Sequence, residues 1–279
     1  MRTCGHTMGV PDMSLAEAVE FFAAIGHDGI EIRCAPDGQL QPELSSETEL
    51  AQVRETITAA GLEVACLTPY FGAWYSPTDR DASIEGLAAV ARAAARLGCR
   101  TVRVISGRWP VEGMDFADAL SAAAEGLRRA GDQAASHGVT LAVETHGGQV
   151  AFNTEATLEL LDAVDHPAVG VLLDYYWLWV AGDDAPDRCV PLLASRTVHV
   201  HVKDGVREGL SHRAVPLGQG EIPWAEVLAH LLRADYRGFL SDEYEKKWRP
   251  ELPDPRQAMP ANLEQLRRWI DEARRMAGP

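Results

Sequence analysis

The chain is short of most features that would take it away from a single water-soluble globular domain. Its 279 residues include no apolar run of the ~18 residues a membrane span needs, and residues 1–15 have no signal-peptide core. A cytoplasmic protein is therefore expected. There is no CxxC pair, and the five cysteines (Cys4, Cys34, Cys66, Cys99, Cys189) are odd in number. Reduced structural thiols fit better than a disulfide framework. Basic residues are scarce, 26 against 41 acidic ones, for a formal charge of −15. That field repels phosphate backbones and anionic bilayers, so neither nucleic acid nor a membrane is an expected partner. No GxGxxG joins the first strand to the first helix, which argues against a dinucleotide-binding open sheet. No low-complexity tract or composition break marks a second domain across residues 1–279.

Helical patterns alternate with short β-branched runs from end to end. Ser14 and Glu17 form a capping-box signature, and Leu15 to Ile25 carries helical apolar spacing up to Gly26. GIEIR (29–33) then reads as a strand. Helices are expected at about 48–60 and 115–137, with an alanine-rich one between them ending at Gly98; the strands that follow are LEVACL, TLAVE and TVRVI respectively. Each of these helices stops at a glycine, the cheapest residue for the left-handed turn back toward a sheet. Further helices are expected at 154–164, 185–193, 223–234 and 260–276, with strands VGVLLD, TVHVHV and GFLSDE interleaved. With an opening strand near 3–6, this makes eight of each. The predicted architecture is α/β, a single (β/α)8 TIM barrel spanning 1–279. The segments 69–81 and 203–224 read as long irregular loops on the mouth where barrel active sites lie.

Four potential metal ligands each end an apolar run: Glu144, Asp174, His201 and Glu243, spaced by 30, 27 and 42 residues. Those gaps are about one strand-plus-helix unit, so neighbouring parallel strands would bring all four to one mouth. Taken singly, a terminal Glu is usually solvated and a lone His is usually a bonded core residue. Together they are different, because barrel strands are buried on both faces and a carboxylate there must be paired, protonated or metal-bound. Three carboxylates and an imidazole make a nearly complete shell for a divalent cation.

The strings LAVETHGG, LLDYYW, VHVHVKDG with PLGQGEIPW downstream, and FLSDEYE resemble the xylose isomerase-like barrel superfamily. The nearest likeness is to its sugar phosphate isomerase/epimerase group, which includes inosose isomerases, hydroxypyruvate isomerases and ketose 3-epimerases. The resemblance implies one divalent ion, Mn²⁺ first and Co²⁺, Mg²⁺ or Zn²⁺ as alternatives, held by Glu144, Asp174, His201 and Glu243. His201 is preferred over His199, which would lie deeper as a packed, hydrogen-bonded residue. Glu243 is preferred over Glu245, left as a neighbouring partner or a solvent-facing acid. Glu144 and Glu243 are the implied catalytic pair, and His146, Arg213, Trp177 and Lys203 the implied substrate contacts. Lys203 and Asp204 would orient or cap the loop after His201. Arg33 would reach an anionic group or pair with Glu31. Tyr70, Phe71, Trp74, Trp109, Tyr175 and Trp177 are candidates for an apolar wall, and His6 could belong to site or core.

The implied chemistry is proton abstraction beside a carbonyl through a metal-stabilised enediolate, which serves epimerisation and aldose–ketose isomerisation alike. The alternative is a lyase that uses the same enolate to expel a β-leaving group from an inosose, a dehydroshikimate-like compound or an oxidised glycoside. A non-catalytic sugar- or metal-binding protein is a third reading, opposed by the retention of all four ligands. Many relatives carry a histidine three residues after the sixth strand's aspartate; Trp177 stands there instead, which implies a bulkier or more apolar substrate than a small free sugar. LTPYF lacks the metal-binding histidine of the superfamily's repair nucleases. A carbohydrate-like small molecule is the expected partner, and a homo-oligomer, dimer or tetramer, the expected assembly.

Overall fold

The β-branched runs form strands wherever the sequence places them: β1 Arg2–His6, β2 Gly29–Arg33, β3 Glu63–Thr68, β4 Thr101–Val104, β5 Thr140–Glu144, β6 Val169–Asp174, β7 Thr197–Val202 and β10 Phe239–Asp242. This computed structural model describes residues 1–183, 185–209 and 211–278. The eight strands are all parallel and close on themselves in the order β1-β10-β7-β6-β5-β4-β3-β2. A TIM barrel is the result, as expected.

The helices between them are α1 Leu15–Ile25, α2 Glu47–Ala59, α3 Pro77–Leu97, α4 Phe116–Ala135, α5 Thr154–Val164, α6 Tyr175–Ala181, α7 Pro186–Ala194, α8 Trp224–Arg233 and α9 Pro255–Ala277. Ser14 caps α1 in the expected reciprocal box with Glu17, and Ser46 does the same for α2 with Glu49. Gly26 and Gly98 end α1 and α3 at φ +97° and +76°, a conformation that costs any other residue strain.

Side chains alternate along each strand. In TVHVHV, Val200 and Val202 join the buried shell beneath the helices, whereas His199 and His201 point into the lumen. The same alternation sends Glu31, Arg103, Glu144 and Glu243 inward.

Three expectations need correction. The segment 203–224 is not wholly irregular: β8 Asp204–Glu208 pairs antiparallel with β9 Ser211–Val215. Its residues are too polar on both faces to read as strands. The short α6, YYWLWVA, starts directly after Asp174 without a side-chain cap, so nothing announced it. α9 begins five residues before the expected Pro260, because Asp254 caps it by accepting the Arg256 N–H and Pro255 takes the first turn.

Candidate metal centre and active site

The four candidate ligands meet. One oxygen or nitrogen from each of Glu144, Asp174, His201 and Glu243 lies within 4.8 Å of the others, and all four residues are buried. Adjacent strands β5, β6 and β7 deliver the first three, and Glu243 follows β10 directly. The Thr145 hydroxyl ties two of these ends together: it accepts the Asp174 N–H (2.9 Å) and donates to the Asp174 carbonyl (3.0 Å).

Within the cluster, His201 Nδ1 lies 3.2 Å from Glu144 Oε1 and 2.9 Å from Glu243 Oε2. Its other nitrogen, Nε2, is 2.9 Å from Glu31 Oε1. The Lys203 ammonium sits 2.6 Å from Asp174 Oδ2 and 2.9 Å from Glu243 Oε2. The Lys203 pairs and the His201–Glu243 pair are close ionic contacts but not well-directed hydrogen bonds. Both Asp174 oxygens, and Glu243 Oε2, are sealed from solvent without a donor in line. Buried carboxylate lone pairs left in this way are costly unless something claims them. A mixed oxygen–nitrogen donor set converging on them suits a divalent cation, so the residues fit the ion.

The charges divide the carboxylates by environment. Burial would raise Glu144, but the Arg103 guanidinium, bonded to Oε2 through Nε (2.8 Å) and Nη2 (2.5 Å), holds it well below the usual range. Glu243 is brought down to about 2, with His201 and Lys203 outweighing burial. Asp174 goes the other way, to about 8, since burial and the two neighbouring glutamates outweigh Lys203. His201 and Lys203 are both pushed up by the carboxylates around them, against burial.

The other sequence candidates scatter. The His146 ring lies against Trp177 with centroids 4.3 Å apart and planes tilted by 39°, and the Trp177 ring lies 5.4 Å from the Lys203 ammonium. Arg213 is on β9, half exposed, and its Nε bonds Glu208 Oε1 at 2.7 Å. His199 is packed below His201 as expected, bonding Glu31 Oε2 at 2.8 Å, and His6 is buried with its ring 5.7 Å from that of His201. Glu245 bridges Lys203 (3.3 Å) and Arg249 (2.8 Å).

Arg33 pairs with Asp37 (2.6 Å) and with the Tyr70 hydroxyl (3.1 Å), and not with Glu31, one of the two alternatives for it. Trp74 and Tyr175 are wholly buried core residues and line no wall: Trp74 donates to the Ile105 carbonyl, and Tyr175 packs edge-on against Trp224. Asp204 is the cap foreseen for it. Its carboxylate accepts the N–H groups of Gly205, Gly218 and Gly220, each at 2.9 Å, and a Cβ on Gly220 would fall 2.0 Å from its Oδ1. The PLGQGE string is thus the backbone wrapped round one carboxylate.

Arg103 and Glu31 were missed. Each is a charge in the middle of an apolar strand, TVRVI or GIEIR, and such a charge can only be buried in company. That was the available signal.

A family model described as a xylose isomerase-like TIM barrel matches residues 19–276, and the chain belongs to that family. A Streptomyces coelicolor protein named "Putative hydroxypyruvate isomerase" is 27% identical over 252 residues, 84% of this chain and 86% of that protein. A 3-dehydroshikimate dehydratase of Pseudomonas putida is 30% identical over 244 residues; these are 82% of this chain but 36% of that longer protein. Among solved structures, a probable 3-DHS dehydratase from Bacillus anthracis superposes with a TM-score of 0.80 at 20% identity, covering 96% of this chain and 99% of that one. A D-psicose 3-epimerase determined with D-fructose gives 0.80 at 19%, covering 97% and 99%. At those identities the shared property is the fold. By name, these relatives are isomerases, epimerases and dehydratases.

Proposed function

We propose that the protein is a divalent-metal-dependent isomerase or epimerase of a keto-polyol such as an inosose, moving a proton at the carbon beside the carbonyl. The observation that carries this reading is the convergence of four buried candidate ligands, with both Asp174 oxygens outside any well-directed hydrogen bond. Glu144, Asp174, His201 and Glu243 would hold the ion, Mn²⁺ by preference, and when bound it would supply Lewis-acid polarisation of the carbonyl.

The chain's own groups do the rest. Glu243 is kept ionised beside His201 and Lys203 and is the acceptor for the abstracted proton. Glu243 then returns that proton to the neighbouring carbon, and Glu144, on another wall and fixed by Arg103, is the second ionised carboxylate of the site, available to accept a substrate hydroxyl proton. Burial excludes water that would otherwise compete for the carbanion. The His146 and Trp177 rings, tilted 39° to one another, offer an aromatic wall for a cyclic polyol, with the Lys203 ammonium 5.4 Å from the Trp177 ring to meet its oxygens.

A second reading, a dehydratase, is favoured by one contact. A departing β-hydroxyl needs an acid, and the Lys203 ammonium, 2.9 Å from Glu243 Oε2, stands next to the group that removes the proton.

Incubation of the Mn²⁺-loaded protein with inosose and ketose panels in deuterated water separates these outcomes. Label at the α-carbon with mass otherwise retained supports the isomerase. Loss of water supports the dehydratase, and neither label nor loss of water with any carbonyl substrate overturns both. Glu144→Gln should abolish turnover and leave the fold intact.

A further inference from the structure

Glu31 lies at the centre of β2 and is wholly buried. Its carboxylate gathers donors from three other strands. His201 Nε2 reaches Oε1 at 2.9 Å, His199 Nε2 reaches Oε2 at 2.8 Å, and the Thr68 hydroxyl donates to Oε1. His6 Nε2 is 3.5 Å from Oε1. Because His6 Nδ1 accepts the Met8 N–H at 3.0 Å, its proton must sit on Nε2, facing Glu31. A lone charge in the barrel core costs several kcal/mol in effective desolvation, and three imidazoles and a hydroxyl directed at it offset that cost.

The backbone is adjusted for this meeting. Among the described residues, the barrel ladders show two register shifts. One falls between Ile30 and Glu31, where β2 pairs β3, and the other between Val171 and Leu172, where β6 pairs β7 just before His199. Bulges of this kind re-aim side chains. Here they lie on the strand that carries the carboxylate and on the ladder that carries the two histidines.

An imidazole presents one lone pair to a metal only if its other nitrogen is held as N–H. We propose that Glu31 is the positioning residue of the metal centre: by accepting the proton of His201 Nε2, it fixes the ring so that the Nδ1 lone pair faces Glu144, Asp174 and Glu243. Glu31 touches neither ion nor substrate and acts through His201. This rests on the metal-centre reading above. It assigns a function to a charge that packing alone would replace with an apolar residue.

The test uses the full chain and Mn²⁺ alone, titrated by calorimetry into the chelator-treated protein. Wild-type protein that takes up no Mn²⁺ would refute the metal centre itself. If it binds, Glu31→Gln, which keeps size but loses the charge, should weaken Mn²⁺ on the order of 10–100-fold. Thr68→Val removes a bond to the same carboxylate without touching His201, and should change the affinity by less than about threefold. Equal loss in both variants, or none in Glu31→Gln, would overturn the assignment in favour of a packing role. Should Glu31→Gln fail to fold, the wild type answers alone. In ¹⁵N-histidine-labelled protein loaded with diamagnetic Zn²⁺, His201 should carry its proton on Nε2, and a proton on Nδ1 refutes the proposal.

Discussion

Arg103 grips a single oxygen of Glu144, Oε2, through Nε at 2.8 Å and Nη2 at 2.5 Å, and so leaves Oε1 to face His201 at 3.2 Å. A carboxylate held by one oxygen keeps a fixed orientation while its other oxygen stays available for an ion. Arg103 Nη1 is itself anchored on the Pro69 carbonyl (3.0 Å), so the clamp cannot swing. Arg103→Met would leave an ionised, buried carboxylate without its partner. Stability should fall by about 3–5 kcal/mol, read from urea unfolding of the metal-free protein. An unchanged midpoint would show that the pair contributes nothing to the fold.

Metal uptake should depend on pH. Asp174 lies at about 8 and His201 is held protonated well above its ordinary range, so both carry protons that an ion must displace. Affinity for Mn²⁺ therefore rises with pH through neutrality, with protons released on binding. Calorimetry in buffers of differing ionisation enthalpy measures the release directly. Affinity that stays flat between about pH 6 and 8 would contradict the charge assignment.

His27 governs part of the acid limit. It is buried against Phe22, neither ring nitrogen has a partner, and burial chiefly drives its pKa down from 6.5 to about 4. The folded state binds the proton less readily than the unfolded chain. Its contribution is therefore intact above pH 6.5 and is lost as pH falls from there toward 4, roughly 3 kcal/mol in all. His27→Leu should flatten the acid side of the stability profile in that window, as followed by thermal unfolding at a series of pH values. A variant as acid-sensitive as wild type would place the lability elsewhere.

Gly220→Ala tests the wrapped loop. The new methyl would fall 2.0 Å from Asp204 Oδ1, so either the loop or the carboxylate must shift. A loss of about 1–3 kcal/mol is expected. Turnover should fall with it, since the Lys203 carbonyl next to Asp204 accepts the Trp224 indole N–H at 2.7 Å and fixes Lys203 beneath the site. A melting temperature within a degree or so of wild type would mean that the loop relaxes freely.

The barrel was legible because its signals are local: β-branched runs, helix-ending glycines and the Ser14 cap are each written within a few residues. The four clustered side chains were legible for a related reason, as each ends an apolar run where a charge stands out. Glu31 and Arg103 sit inside such runs, and their meaning depends on partners far along the chain, His201 in one case and Glu144 in the other. No periodicity carries that information. Trp74 and Tyr175 looked like pocket residues because aromatic side chains serve core and cleft alike, and only packing decides between them. The β8–β9 hairpin stayed hidden since Arg207, Glu208, Ser211 and Arg213 show no apolar face, and its order comes from Asp204 and the cross-strand ladder.

The ionised carboxylate on β2 also bears on how the polypeptide assembles. The two imidazoles nearest to it, His199 and His201, belong to a strand made some 170 residues later. A fragment ending midway through the polypeptide would have to shut a naked anion inside an unfinished cylinder or leave its second strand open to water. The early strands thus have reason to stay ajar until the seventh arrives, and closure and completion of the chemistry become one event.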